Sequence, residues 1–146
     1  MSDNALIEQL SKCLANATTM YHRTHGFHWN VTGRDFPQWH KKFLQIYKDV
    51  YSSLDPLGES IRKLGGIPAF RLDELSANAT LQDSPVRAYD PQTLVADLLK
   101  TNTEMLVCLN RAFDAAASAN QQGIANFLAE RIDMHQTWQW QLSVSL

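Results

Sequence analysis

Two histidines and two carboxylates stand between residues 28 and 59: His28, His40, Asp55 and Glu59. Imidazole and carboxylate donors together suit Fe(II), Zn or Mn and fit Ca poorly. His28 falls near the end of one predicted helix and His40 near the start of the next. A short connection makes these two helices an antiparallel hairpin, so both histidines lie at the same end. Asp55 and Glu59 are spaced i, i+4, one helical turn apart, and can point at the same small cation. The two pairs cannot meet within one chain. Fifteen residues of continuous helix separate His40 from Asp55 by about 22 Å. Either the pairs are unrelated, or a second copy of the chain brings them together.

Helical angles favour the second copy. Phe43, Tyr47, Val50, Leu54, Leu57, Ile61 and Leu64 recur by threes and fours and predict one core-facing stripe. At about 100° per residue, Asp55 and Glu59 lie roughly 120–160° from the centre of that stripe. Leu44 and Tyr51 share this second face, which is therefore partly apolar and suited to a partner subunit. Two such helices packed antiparallel about a twofold axis would bring the histidine end of one to the acidic end of the other, giving two equivalent sites.

Stepping outward along the chain, Ser2, Asp3 or Asn4 can cap a first helix over roughly residues 4–31, with Leu6, Leu10, Leu14, Ala17 and Tyr21 facing inward and Gly33 ending it. Asp35 and Gln38 have capping-box spacing ahead of a second helix that runs to about Lys63 and stops at Gly65-Gly66. Pro56 should bend that helix, since it removes the bond to the Ser52 carbonyl. The bend either aims the neighbouring Asp55 or is simply tolerated. Residues 66–89 are rich in Gly, Pro, Ser, Asn and Asp, with RLDELS as one short helix; so long a connection implies a crossover along the bundle. Asp90 and Pro91 open a third long helix with Leu94, Leu98, Met105, Leu109, Ala112 and Ala116 inward. The last helix covers roughly 122–143, with Ile124, Leu128, His135, Trp138 and Leu142 along one side. The expected fold is all-α: a four-helix bundle with one long crossover carrying a short helix, in a single domain over residues 1–146.

The run HGFHWNVTG, His40 twelve residues after His28, then LDPLGES and LGG, resembles the Dps family, the ferritin-like DNA-binding proteins of starved cells. The likeness extends to SPVRAYDPQTL and to LAERIDMHQTWQWQL. The resemblance implies a ferritin-like fold and a hollow homododecamer. It also implies ferroxidase sites shared across twofold dimers, where Fe(II) becomes Fe(III), preferably with hydrogen peroxide, and a mineral stored in the shell as protection against oxidative damage. Carried over residue by residue, His28, His40, Asp55 and Glu59 would be both the catalytic residues and the metal ligands. One position departs from the pattern: where the family usually has a second acidic ligand, four residues after the second histidine, this chain has Leu44. Leucine offers no donor, so one tightly held metal per site is expected.

The remaining features set bounds. A formal net charge of −2, with Lys12 the only basic residue before Arg23, predicts weak or absent DNA binding. No apolar run approaches the roughly 18–20 residues that span a bilayer. There is no signal-peptide pattern, so the expected location is cytoplasmic. Cys13 and Cys108 form no C-x-x-C motif and read as reduced core thiols. His135 lies on an apolar stripe and reads as a satisfied core histidine, and His25 as a candidate partner of His28 from the turn before it. Trp29 reads as packing, with radical uptake beside an oxidising iron as its alternative; Trp138 and Trp140 read as packing at the bundle's end. Two rival functions stand beside the main one. A structural or DNA-compacting shell with a degraded metal centre would fit Leu44. A di-iron oxidase with its site inside one bundle would need Glu-x-x-His pairs, and no glutamate here has a histidine three residues on.

Overall fold

The computed structural model describes residues 2–146, which form six helices and, among the described residues, no strand. They are α1 (Ser2–Asn30), α2 (Phe36–Ser52), α3 (Leu54–Lys63), α4 (Leu72–Asn78), α5 (Pro91–Ser118) and α6 (Gln122–Ser143). Contacts at the helix ends fix the topology. A Cβ on Gly66, just past α3, would lie 3.3 Å from Ile7 near the start of α1, whereas the Thr32 N–H, just past α1, donates to Tyr89 O ahead of α5 at 2.9 Å. The crossover therefore runs the length of the bundle, as its length predicts. Gln121, ahead of α6, donates to Asp3 at 3.4 Å, which puts the α5–α6 turn beside the start of α1. So α1 lies antiparallel to both α2–α3 and α5. Among the described residues, no helix is long and apolar enough to cross a membrane.

The expected stripes fill the core along α1, α5 and α6. Leu6, Leu10, Leu14 and Ala17 of α1 are buried, as are all six expected positions of α5 and all five of α6. Tyr21 is only half-buried. The stripe on the second helix needs correcting. Phe43, Ile46, Val50, Leu57 and Ile61 are buried, while Tyr47, Leu54 and Leu64 are half-buried. Ile46 takes the inward position, and Tyr47 turns toward α1, where its ring meets those of Tyr21, His25 and His28.

That helix is also two helices. Ser53 interrupts it with near-helical angles (φ −81°, ψ −15°), and its N–H donates back to Val50 O. The cause is the proline: Pro56 has no N–H for the Ser52 carbonyl, and the chain restarts so that Pro56 lies in the first turn of α3, where no intrahelical donor is required. Asp35 does not cap α2 with its side chain, so the expected capping box is not formed. Asp90 does cap α5, accepting from Thr93 N at 3.0 Å and Thr93 Oγ1 at 2.8 Å. Gly65, at φ +89°, lets the backbone reverse after α3 and bring Gly66 N–H onto Ile61 O. Trp138 packs as expected, but Trp140 is 63% exposed and packs on nothing that would bury it.

A buried polar network ties α2, α5 and α6 together. Arg131 grips Asp49 in a fork of 2.8 and 2.9 Å, and Trp138 Nε1 donates to the same carboxylate at 2.8 Å. Arg131 Nη2 lies 3.1 Å from His135 Nε2, and His135 Nδ1 lies 2.7 Å from Asn102 Oδ1. An arginine only donates and an amide oxygen only accepts, so His135 is neutral with its proton on Nδ1. Burial pushes its pKa down to about 3, helped by the Arg131 charge and opposed by Asp49. That value lies below the ordinary 6.5 of an unfolded histidine. The neutral form's contribution is therefore complete above pH 6.5 and is lost as pH falls toward 3, by about 1.4 kcal/mol per unit. Denaturant midpoints should fall steeply from pH 6.5 to 4 and less steeply in His135→Gln. Equal slopes in both proteins would contradict this assignment.

Candidate metal centre

His28, on the last turn of α1, and His40, on the first full turn of α2, are brought together by the α1–α2 turn. Gly33 adopts φ +105° there, a conformation that needs no Cβ. The two imidazoles stack with centroids 3.8 Å apart and planes 15° from parallel. His28 Nδ1 lies 2.6 Å from the carbonyl of His40, and His40 Nδ1 lies 2.7 Å from the carbonyl of His28. A carbonyl can only accept, so both Nδ1 atoms carry the proton. In the neutral ring the lone pair is then on Nε2, the nitrogen left for a metal. This is the tautomer and the locking that a metal-binding imidazole requires.

Aromatic rings surround the pair. Phe36 stacks on His40 at 4.8 Å, and Tyr47 lies 5.3 Å from His28. His25 stacks on Tyr47 at 4.2 Å and meets Trp29 at 4.1 Å. Burial, then the neighbouring His28 and His22, hold its pKa below the ordinary histidine value. His25 thus acts on His28 through ring packing, with centroids 6.2 Å apart, and makes no hydrogen bond to it. Spacing alone predicts Tyr47 in the core. Its position seven residues after His40 was the signal that it belongs on the histidine side.

The carboxylates lie elsewhere. Asp55 is exposed in the first turn of α3 and Glu59 is exposed one turn later. Glu59 borders a shallow cavity of about 180 Å³ with Lys63, Gly123 and Phe127. Among the described residues, no three His, Cys, Asp or Glu side chains come together in a set that could hold a metal. One chain therefore holds the two imidazoles and the two carboxylates at separate places. Between them Leu44 is half-buried and Tyr51, whose ring meets that of Tyr21 at 4.9 Å, is still 58% exposed, with Trp29 of α1 64% exposed at the histidine end. That is an apolar, aromatic surface of the kind a second subunit covers.

A family model described as a ferritin-like domain matches residues 7–146. The chain is 31% identical over 109 residues to general stress protein 20U of Bacillus subtilis, covering 68% of this chain and 75% of that protein. It is 27% identical over 125 residues to DNA protection during starvation protein 2 of Bacillus anthracis, covering 84% of each. Among solved structures, Dps from Bacillus brevis superposes with a TM-score of 0.92 at 24% identity, over 98% of this chain and 95% of that one. Dps from Staphylococcus aureus does so with a TM-score of 0.91 at 25% identity, over 97% and 94%.

Proposed function

This chain belongs to the Dps family of ferritin-like proteins, and on that premise we propose that it is an iron-storing mini-ferritin that oxidises Fe(II) at sites shared between two copies of itself. The observation that carries the reading is the reciprocal lock of His28 and His40, which ties up both Nδ1 atoms and leaves both Nε2 atoms for a metal, with no third donor from the same chain grouped with them among the described residues. In this reading Asp55 and Glu59 of a second protomer complete the set, and twofold pairing gives two such sites per dimer. Dimers then close into a hollow shell, a dodecamer on the family pattern.

Iron is the substrate and the cargo. The imidazoles would bind Fe(II) through Nε2, because each Nδ1–H is already given to a carbonyl. The carboxylates favour the Fe(III) product, since hard anionic oxygens bind the higher charge more strongly. With hydrogen peroxide as oxidant, two Fe(II) each give one electron, the O–O bond breaks, and two protons complete two waters. Fe(III) moves on to the mineral. Free Fe(II) and peroxide are consumed together, which is the protective effect. With a net charge of −2, the shell is expected to bind duplex DNA weakly or not at all at physiological salt.

Leu44 sets the stoichiometry. It lies one turn after His40, on the partly apolar face, and brings no donor to the place where a second cation would sit. Anaerobic Fe(II) titration should show one tight iron per site, followed by peroxide-dependent oxidation in which the second iron arrives only transiently. Leu44→Asp should raise both the tight stoichiometry and the oxidation rate. Two tight irons in the unaltered protein, or no gain in an assembled Leu44→Asp shell, would contradict this role. Absence of Fe(II) binding altogether would favour the structural-shell alternative.

A further inference from the structure

Cys13 on α1 and Cys108 on α5 are 95 residues apart in sequence, yet their Sγ atoms lie 3.1 Å from one another. Both are free and buried. Antiparallel packing of α1 on α5 puts them in register, and no metal ligand proposed above is involved. The two thiols have different surroundings. Cys13 is sealed, whereas Cys108 borders a cavity of about 100 Å³ whose walls include Lys12, Glu104 and Arg111. That space exceeds the roughly 30 Å³ share of one water, so a small hydroperoxide fits in it. Two cations beside a thiol favour its thiolate, the reactive form.

Charge and hydrogen bonding favour the same sulfur as the more acidic one. The hydrogen bond from Cys13 holds the Cys108 pKa below the ordinary thiol value against burial, aided by the Asn16 side chain, Lys12 and Arg111. The same hydrogen bond, with burial and the charge of Cys108, pushes Cys13 up. Cys108, the sulfur that faces the cavity, is therefore the more acidic of the two and the first to form a thiolate.

We propose that Cys108 and Cys13 form a metal-independent, peroxide-reactive dithiol, with Cys108 as the attacking sulfur, Cys13 as the resolving one, and hydrogen peroxide or a small alkyl hydroperoxide as substrate. Cys108 thiolate attacks one peroxide oxygen; the O–O bond breaks, Cys108 becomes a sulfenic acid, and the departing oxygen takes a proton and leaves as water or alcohol. Cys13 then attacks the Cys108 sulfur. The S–O bond breaks, the Cys13 proton leaves with the hydroxyl as water, and a disulfide remains. Two thiols are oxidised by two electrons and one peroxide is reduced by two. Closing the sulfurs to about 2.05 Å requires a movement of about 1 Å, within the reach of the two side chains. An added dithiol reverses the step.

The test uses the assembled, full-length protein stripped of iron by a chelator, so that its outcome is independent of the ferroxidase reading. Hydrogen peroxide is added, and thiols are counted in denaturant beside intact mass. The expected result is loss of both thiols with loss of two hydrogens per chain, within one chain, reversed by dithiothreitol. In Cys13→Ser, dimedone should trap a sulfenic acid at Cys108. In Cys108→Ser, Cys13 should react at least about 10-fold more slowly, and Lys12→Met with Arg111→Met should slow Cys108 at neutral pH by about 10-fold. Thiols that persist in native protein under excess peroxide, disulfides only between chains, or a dimedone adduct on Cys13 in Cys108→Ser that forms as fast as the one on Cys108 in Cys13→Ser would each overturn the proposal. Should Cys13→Ser fail to fold, the thiol count and mass of the unaltered protein still decide it.

Discussion

His40→Ala is expected to lower Fe(II) oxidation by on the order of 100-fold or more while leaving the fold intact. Changing even an outer partner of a ligand costs 10–100-fold in metal affinity or activity, and His40 is proposed as a direct ligand. The substitution removes one of two imidazoles and the stacking partner of the other, while the His28 Nδ1 bond to the backbone carbonyl of residue 40 remains. Structurally the loss is small. His40 is half-buried and donates one side-chain hydrogen bond, worth about 1 kcal/mol. The helical circular-dichroism signal and the assembled mass should therefore be unchanged. His25→Ala is the internal comparison. It removes a ring that packs near His28 without touching either locked Nδ1, so it should cost far less activity than His40→Ala. Equal losses in the two variants would mean that the histidines act by packing and not by ligation.

Arg131→Ala should be the most destabilising single change outside the apolar core, by about 3–5 kcal/mol. The arginine holds both oxygens of Asp49 and also donates to His135 Nε2. Without it, Asp49 keeps only the Trp138 N–H, and His135 loses the donor that fills its inner lone pair. Asp49 shows the same dependence: burial pushes its carboxyl up, and the Arg131 hydrogen bonds and charge more than offset this, with Trp138 and His135 adding to the effect. Removing one member of a buried ion pair costs more than the pair contributes, because the other charge is left desolvated. Asp49→Leu combined with Arg131→Met should therefore be clearly milder than Arg131→Ala. Chemical denaturation at pH 7 would check both. A loss below about 1 kcal/mol for Arg131→Ala would show that water reaches Asp49 freely.

The helices and their order were legible in the sequence because each signal was local. Asp90-Pro91 announced α5, Gly65-Gly66 ended α3, and the length of the 66–89 segment implied the crossover. What the sequence misassigned was decided by neighbours from other helices. Tyr47 and Ile46 exchange inside and outside because α1 offers Tyr47 a stack of Tyr21 and His25. Asp35 has a capping sequence, yet its side chain makes no cap bond. The histidine pair was legible because a hairpin turn brings residues 28 and 40 together. The tautomer lock was not, because it depends on which carbonyl each ring meets. Cys13 and Cys108 gave no signal as a pair, since two lone cysteines 95 residues apart meet only through the register of α1 on α5.

The most direct test of the shared centre mixes two inactive chains. One carries His28→Ala and His40→Ala, the other Asp55→Ala and Glu59→Ala. Each alone should bind Fe(II) poorly and oxidise it slowly. Dissociated, mixed and reassembled, half of a random population of dimers should pair one chain of each kind, and each mixed dimer should hold one intact site and one doubly damaged one. Peroxide-dependent Fe(II) oxidation should then return to about a quarter of the unaltered level, counting one working site in half of the dimers. Mixed shells, confirmed by mass, that recover no oxidation would contradict a centre built from two subunits.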